Sequence, residues 1–331
     1  MERFALAAAV VLGFALTAAL CSLFVPLRRV LERREQQQQP VQSEQPRPAP
    51  LRAPLWGGLC AAAGTVAAVG VGWLAACVGQ PELLGSEGRL MTRLLTALAG
   101  SLAFGAVGLA EDLARMRSPA ALGLRRDVRL LLEALAAAFV LLLLRAAGCL
   151  PRGLGVPGAG YVLLGSAVPF LWAVLMVALA ECARIAERDE GAVCGAAFVA
   201  MLALMMVEAG LGVSGLAVLP AALAGALVAL GLWAFPPARL GVGCCGSLLA
   251  AGAIGCIPLS LDMTSLTVPL ALPFWAAGGL LAAQLLCAKR TGKPLRCWVK
   301  KHKMSPETVF LCSFALSAVG YMLALALLRW C

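Results

Sequence analysis

Runs of apolar residues long enough to cross a bilayer recur along the whole of this chain, and no other feature limits its fold as strongly. About 20 apolar residues in a helix span a ~30 Å hydrocarbon core. In lipid, only helices and closed barrels satisfy every backbone N–H and C=O internally. Ten such runs are read, at roughly 4–26, 56–78, 91–110, 129–147, 160–180, 192–210, 214–233, 244–262, 267–287 and 307–328. Charged residues make up 13% of the 331 and hydrophobic ones 61%, whereas a soluble domain carries about 25% charged residues. The expected fold class is therefore an all-α polytopic membrane protein of about ten transmembrane helices, formed as a single membrane-embedded domain over 1–331.

Charge then orients the bundle. The first apolar run is long and its basic cluster, "RRVLERR", follows it, so it reads as a retained anchor and not a cleaved signal. Counted by alternating loops, most of the 27 lysines and arginines fall on one side, which the positive-inside rule makes cytoplasmic. Both termini are then expected outside, with the functional face cytoplasmic and the whole protein multi-pass in the plasma (inner) membrane. The net charge of +10 describes this polarity and excludes a nucleic-acid binder, although the same basic groups suit anionic headgroups or phosphates. The 13 cysteines show no CxxC pair with metal spacing, so neither a zinc site nor a disulfide framework is expected.

Between the first two runs lies "REQQQQPVQSEQPRPAP", which has almost nothing to bury; residues 29–55 read as a flexible Gln/Pro-rich cytoplasmic loop. No internal repeat appears, and the runs contain few ionisable residues, so an ion-coupled transporter is disfavoured. Glu133 lies one turn inside its helix with Arg129, four residues earlier, as the expected partner, and Glu208 and Asp262 fall near outer ends. Small residues at helical spacing from Gly57 to Gly72 suit close helix packing, and they permit a homodimer without specifying one.

The remaining charge gathers in four cytoplasmic patches. In "FGAVGLAEDLARMRSPAALGLRRDVRLLLE" the acids Glu111 and Asp112 stand within i+3 and i+4 reach of Arg115, so they are either functional carboxylates or a salt-bridged helix end. "ECARIAERDEG" places Arg184 three residues from both Glu181 and Glu187, with Glu190 beyond, and leaves the same two readings. "FPPARLGVGCCGS" frames two adjacent cysteines with glycines and a serine. A thiol is a soft ligand, poorly matched to a hard ion such as Mg²⁺. "KRTGKPLRCWVKKHKM" holds His302, the sole histidine, among Lys300, Lys301 and Lys303, which suit either a phosphate or an anionic lipid surface.

In order, position and helix count these patches resemble the prenyl-phosphate phospho-sugar transferases, most closely the phospho-N-acetylmuramoyl-pentapeptide transferases. The resemblance spans nearly the whole chain. It implies a Mg²⁺-dependent transfer of a phospho-sugar from a UDP-sugar nucleotide to the lipid polyprenyl phosphate, in peptidoglycan-type envelope synthesis. On it, Glu111 and Asp112 fall at the family's paired aspartates, as catalytic groups that position the acceptor, and Arg129 falls where lysine is usual. Glu181, Arg184, Glu187 and Glu190 take the places of two asparagines and two aspartates, with Gly191 after them, which makes Glu187 and Glu190 the implied metal ligands. "GVGCCGS" aligns with the family's F-M-G-D-T-G-S: Gly243, Gly246 and Ser247 are retained as substrate-binding positions, while Cys244 stands at the metal-ligand aspartate and Cys245 at the threonine. "TGKPL" is kept, and His302 and Lys301 remain near the family's three histidines, as catalytic and phosphate-binding groups respectively. Before the second helix, "PLRAPLWGG" keeps Pro54, Gly57 and Gly58 of a motif that has otherwise lost its lysine and threonines.

Glycines, prolines and apolar shape are thus kept, while groups that would touch metal or nucleotide are mostly replaced. Two functions follow. One is a catalytically impaired paralogue that binds a prenyl-linked lipid, a nucleotide sugar or an envelope-building partner. The other is an active transferase with an atypical Glu-rich Mg²⁺ site.

Overall fold

The computed structural model describes residues 2–38, 56–79, 88–117, 123–151, 153–156, 160–163, 165, 167–187, 191–213, 215–235, 239–291 and 306–330. Its long helices are α1 (Glu2–Gln38), α2 (Gly57–Gly79), α3 (Gly88–Arg117), α4 (Arg126–Ala146), α5 (Ala167–Ala186), α6 (Ala192–Gly210), α7 (Val218–Ala234), α8 (Gly243–Ser260), α9 (Leu272–Thr291) and α10 (Pro306–Trp330). Among the described residues, seven of them, α1, α2, α3, α5, α6, α8 and α10, are long and apolar enough to cross a membrane. Of the others, α7 is apolar but has 17 residues, and α4 carries Arg129, Glu133 and Arg145 along its length. The chain is an all-α multi-pass membrane protein.

Several boundaries differ from those read in the sequence. Helix α1 continues to Gln38, some ten residues into the segment read as a loop; residues 39–55 lie outside the described residues. Helix α3 extends past residue 110 to Arg117, because "AEDLARMR" keeps good helix formers. Glu111 and Asp112 are therefore inside a helix and not beyond its end. Helix α5 starts at Ala167, later than expected, and the residues before it form a hairpin, β1 (Gly153–Val156) antiparallel to β2 (Gly160–Leu163), with Gly153 opposite Leu163. Glycine-rich sequence there gives little apolar periodicity from which to read a strand.

All 18 residues of α8 are buried, as expected of a helix that is apolar all round and so lies at the centre of the bundle. It packs against α2, α3, α5 and α6. Glycines set how closely. A Cβ on Gly58 of α2 would run into the Gly246 backbone, one on Gly108 of α3 into the Cys244 and Cys245 backbone, and one on Gly252 into Ser101. Along α2, Gly57, Gly58, Gly64 and Gly72 all meet neighbours in this way, while Gly70 faces open space. Helices α1 and α7 use the same device, Gly13 lying against the Ala222 carbonyl and Gly225 against that of Val10.

Contacts between termini gather alternate helix ends on one side. Phe24 near the end of the first apolar run stacks on Trp56 before α2, with centroids 5.7 Å apart. The Gly57 amide donates to the Gly241 carbonyl at 3.2 Å, tying the start of α2 to that of α8. Phe235, just after α7, meets Phe310 at the start of α10 edge-on at 5.5 Å. This is the arginine-rich end of the bundle, and the acidic residues of α3 and α5 lie there.

Candidate functional site

The site forms where the last turns of α3 and α5 meet the first turns of α4 and α8. Helix α8 opens on Gly243, whose φ of 71° is in the left-handed region that favours glycine. The first N–H groups of a helix have no partner within it and carry the positive end of its dipole. Here a carboxylate of the chain itself takes them: Asp112 Oδ1 accepts from the Cys244 amide at 3.0 Å and Oδ2 from the Cys245 amide at 2.9 Å. The absence of a side chain at Gly108, one turn before Asp112, lets α3 come close enough for both bonds.

Around this pair runs a network of charge, buried at Glu111, Asp112 and Arg129 and half-buried at Arg115, Glu181, Arg184 and Glu187. Arg115 Nη2 donates to Glu111 Oε1 at 2.7 Å, and its Nη1 lies 3.4 Å from Glu187 Oε2 and 3.9 Å from Asp112 Oδ1. The Cys244 thiol donates to the same Glu187 oxygen at 3.2 Å. Arg129, at the start of α4, donates from Nε to Glu181 Oε1 at 2.8 Å and holds Nη1 3.6 Å from Glu111 Oε1. Arg184 reaches Glu181 Oε2 at 2.7 Å. Four carboxylates and three guanidinium groups thus join α3, α4, α5 and α8. Pairs removed from water in this way hold together only when each partner is present.

The network corrects two pairings read in the sequence. Arg129 turns to Glu181 and Glu111 on neighbouring helices, and both oxygens of Glu133 are buried without a hydrogen-bond partner among the described residues. Arg184 does bind Glu181, but Glu187 goes to Arg115 and Cys244 instead.

Of the residues singled out from the sequence, the fold brings Glu111, Asp112, Arg129, Glu187 and Cys244 into one cluster. Gly246 faces Gly58 across the α2–α8 contact. The buried Ser247 hydroxyl donates back to the Cys244 carbonyl at 3.1 Å, the local bond a helical serine commonly makes. Glu190, Lys301 and His302 lie outside the described residues. Arg115, a local partner of Glu111 and Asp112 by sequence spacing, reaches three acids. Its spacing from Glu111 and Asp112 was visible; its reach to Glu187, 72 residues along the chain, was not.

Mg²⁺ takes oxygen ligands in near-octahedral geometry at about 2.0–2.1 Å. Both oxygens of Asp112 are committed to backbone amides, Glu111 Oε1 to Arg115 and Arg129, and Glu187 Oε2 to Arg115 and a thiol. Cys244 offers sulfur. Glu111 Oε2 is buried and without a partner, but one such oxygen beside a fixed guanidinium does not make a site for a hard divalent ion. As arranged, the described residues do not fit Mg²⁺.

No curated protein matches the chain. The model of the family described as glycosyl transferase family 4 matches residues 94–262, from early α3 to just past α8. The match covers just over half of the 331 residues and includes every described member of the charge network. The family whose phospho-sugar transferases the rim motifs resemble is therefore the one to which the fold's central helices conform: the chain belongs to glycosyl transferase family 4.

Proposed function

We propose that this family 4 protein is a catalytically impaired member that holds a ligand of the family's chemistry, a polyprenyl-phosphate lipid or a UDP-sugar, and acts in binding or scaffolding in the assembly of envelope lipid intermediates. It does so as a single domain of ten crossings in the plasma membrane, with its termini outside and the arginine-rich end cytoplasmic. The basic groups around that end suit the phosphates of either ligand.

One observation carries the reading. Asp112, at a paired-aspartate position, gives both of its oxygens to the first turn of α8, and the metal-ligand position on that turn is Cys244, whose thiol donates to Glu187. Phosphoryl transfer depends on several positioned charges acting together, and the acids among the described residues of this cluster are joined to one another by arginines. The departures at the other family motifs agree with this. An active transferase with a Glu-rich Mg²⁺ site is favoured by one feature, the unpartnered Glu111 Oε2. It would need Glu187 to leave Arg115.

The test is a transfer assay on the purified chain in detergent, using radiolabelled UDP-N-acetylmuramoyl-pentapeptide and polyprenyl phosphate with and without Mg²⁺. Nucleotide or lipid binding without turnover is the expected result. Turnover that disappears in Asp112→Asn establishes the active reading instead.

A further inference from the structure

Arg115 lies among three acids from two separate segments: Glu111 and Asp112 of its own helix at 2.7 and 3.9 Å, and Glu187 just past α5 at 3.4 Å. Glu187 is tied in turn to α8 through the Cys244 thiol, and Asp112 through two α8 amides. One positive group thus draws together carboxylates that would otherwise repel one another in a poorly solvated place. A divalent cation could do the same work, and it would compete for the same oxygens. Guanidinium is always charged, planar and able to donate in several directions at once, so it permanently offsets part of the charge of such a cluster. Glu111 Oε2, buried and without a partner, is an oxygen that this arrangement leaves unused.

We infer that Arg115 is a tethered cation occupying the place of a divalent metal. It fastens the end of α3 to Glu187 and α8 without metal, and it excludes metal from Glu111, Asp112 and Glu187. Loss of its guanidinium frees Glu111 and Glu187, which bind no backbone amide among the described residues, to take a divalent cation. The inference rests on the same charge cluster as the function proposed above, but it does not require that transfer be absent.

The experiment follows Mn²⁺ binding by electron paramagnetic resonance, and thermal unfolding with Mn²⁺ or with EDTA, on the full chain in a neutral detergent. The unaltered protein is expected to show no saturable Mn²⁺ site and the same melting temperature in both solutions. Arg115→Met is expected to melt lower in EDTA, to recover part of the loss in Mn²⁺, and to bind Mn²⁺ saturably, with binding lost when Glu187→Gln is added. A saturable site in the unaltered protein that Glu187→Gln weakens overturns the inference, and so does an Arg115→Met protein indifferent to Mn²⁺. Arg115→Lys keeps a positive charge and is expected to remain indifferent to metal; Mn²⁺ dependence in that variant also counts against it. If Arg115→Met does not fold, the unaltered protein and Arg115→Lys still decide the matter. Metal-free transfer by the unaltered protein would remove the proposed loss of catalysis and leave the tethered cation standing.

Discussion

Asp112 and Glu208 are both carboxylates on long helices, and both are 1% exposed, yet their surroundings are opposite. Asp112, near the end of α3, has an amide donor on each oxygen. Glu208, near the end of α6 on the other side of the bundle, has no hydrogen-bond partner on either oxygen among the described residues. Burying a carboxylate without compensation costs several kcal/mol or more, whereas one that accepts from helix N-terminal amides gains charge-assisted bonds and the favourable end of the dipole. Burial alone therefore says little about what an acid is for. At the arginine-rich end the described acids hold helices to one another.

The strongest way to break this comparison is to push α3 away from α8. A side chain at Gly108 would enter the Cys244 and Cys245 backbone, where neither partner can give as a flexible side chain would. Gly108→Leu is expected to destabilise by about 3 kcal/mol or more or to prevent folding, as measured by thermal unfolding or monodisperse yield in detergent. A folded, unshifted variant would mean that the α3–α8 approach does not determine the capping of α8. Next in size is Asp112→Ala, which strands two helix N–H groups and leaves Arg115 one acid fewer. Its expected cost is about 2–4 kcal/mol, with Asp112→Asn losing less because one acceptor oxygen survives. Equal losses for the two would assign the effect to charge and not to capping.

How much of this was legible follows from the range of each interaction. The long apolar runs located the helices because spanning length is written in consecutive residues. The pairs Arg115 with Glu111 and Arg184 with Glu181 were readable as i+4 and i+3 neighbours. What escaped was long-range. Arg129 has a local candidate in Glu133 but chooses Glu181, 52 residues away, since α5 brings that acid to the start of α4. Cys244 and Cys245 are conspicuous for their thiols, but their backbone amides are what bind Asp112, and no residue type announces a backbone donor. At Gly243 a positive φ, and at Gly246 the packing on Gly58, each give a structural reason for glycine that the motif does not display.

The smallest effect is expected at Glu208, and it sharpens the comparison from the other side. Gln has nearly the same shape, so Glu208→Gln breaks no hydrogen bond seen among the described residues. The unfolding free energy should stay within about 1 kcal/mol of the original or rise. The contrast with Asp112 is then one of partners at equal burial. A loss as large as that of Asp112→Ala would instead mean that Glu208 anchors its end of the bundle as firmly as Asp112 anchors the other, and that helix ends on both sides are held by buried acids.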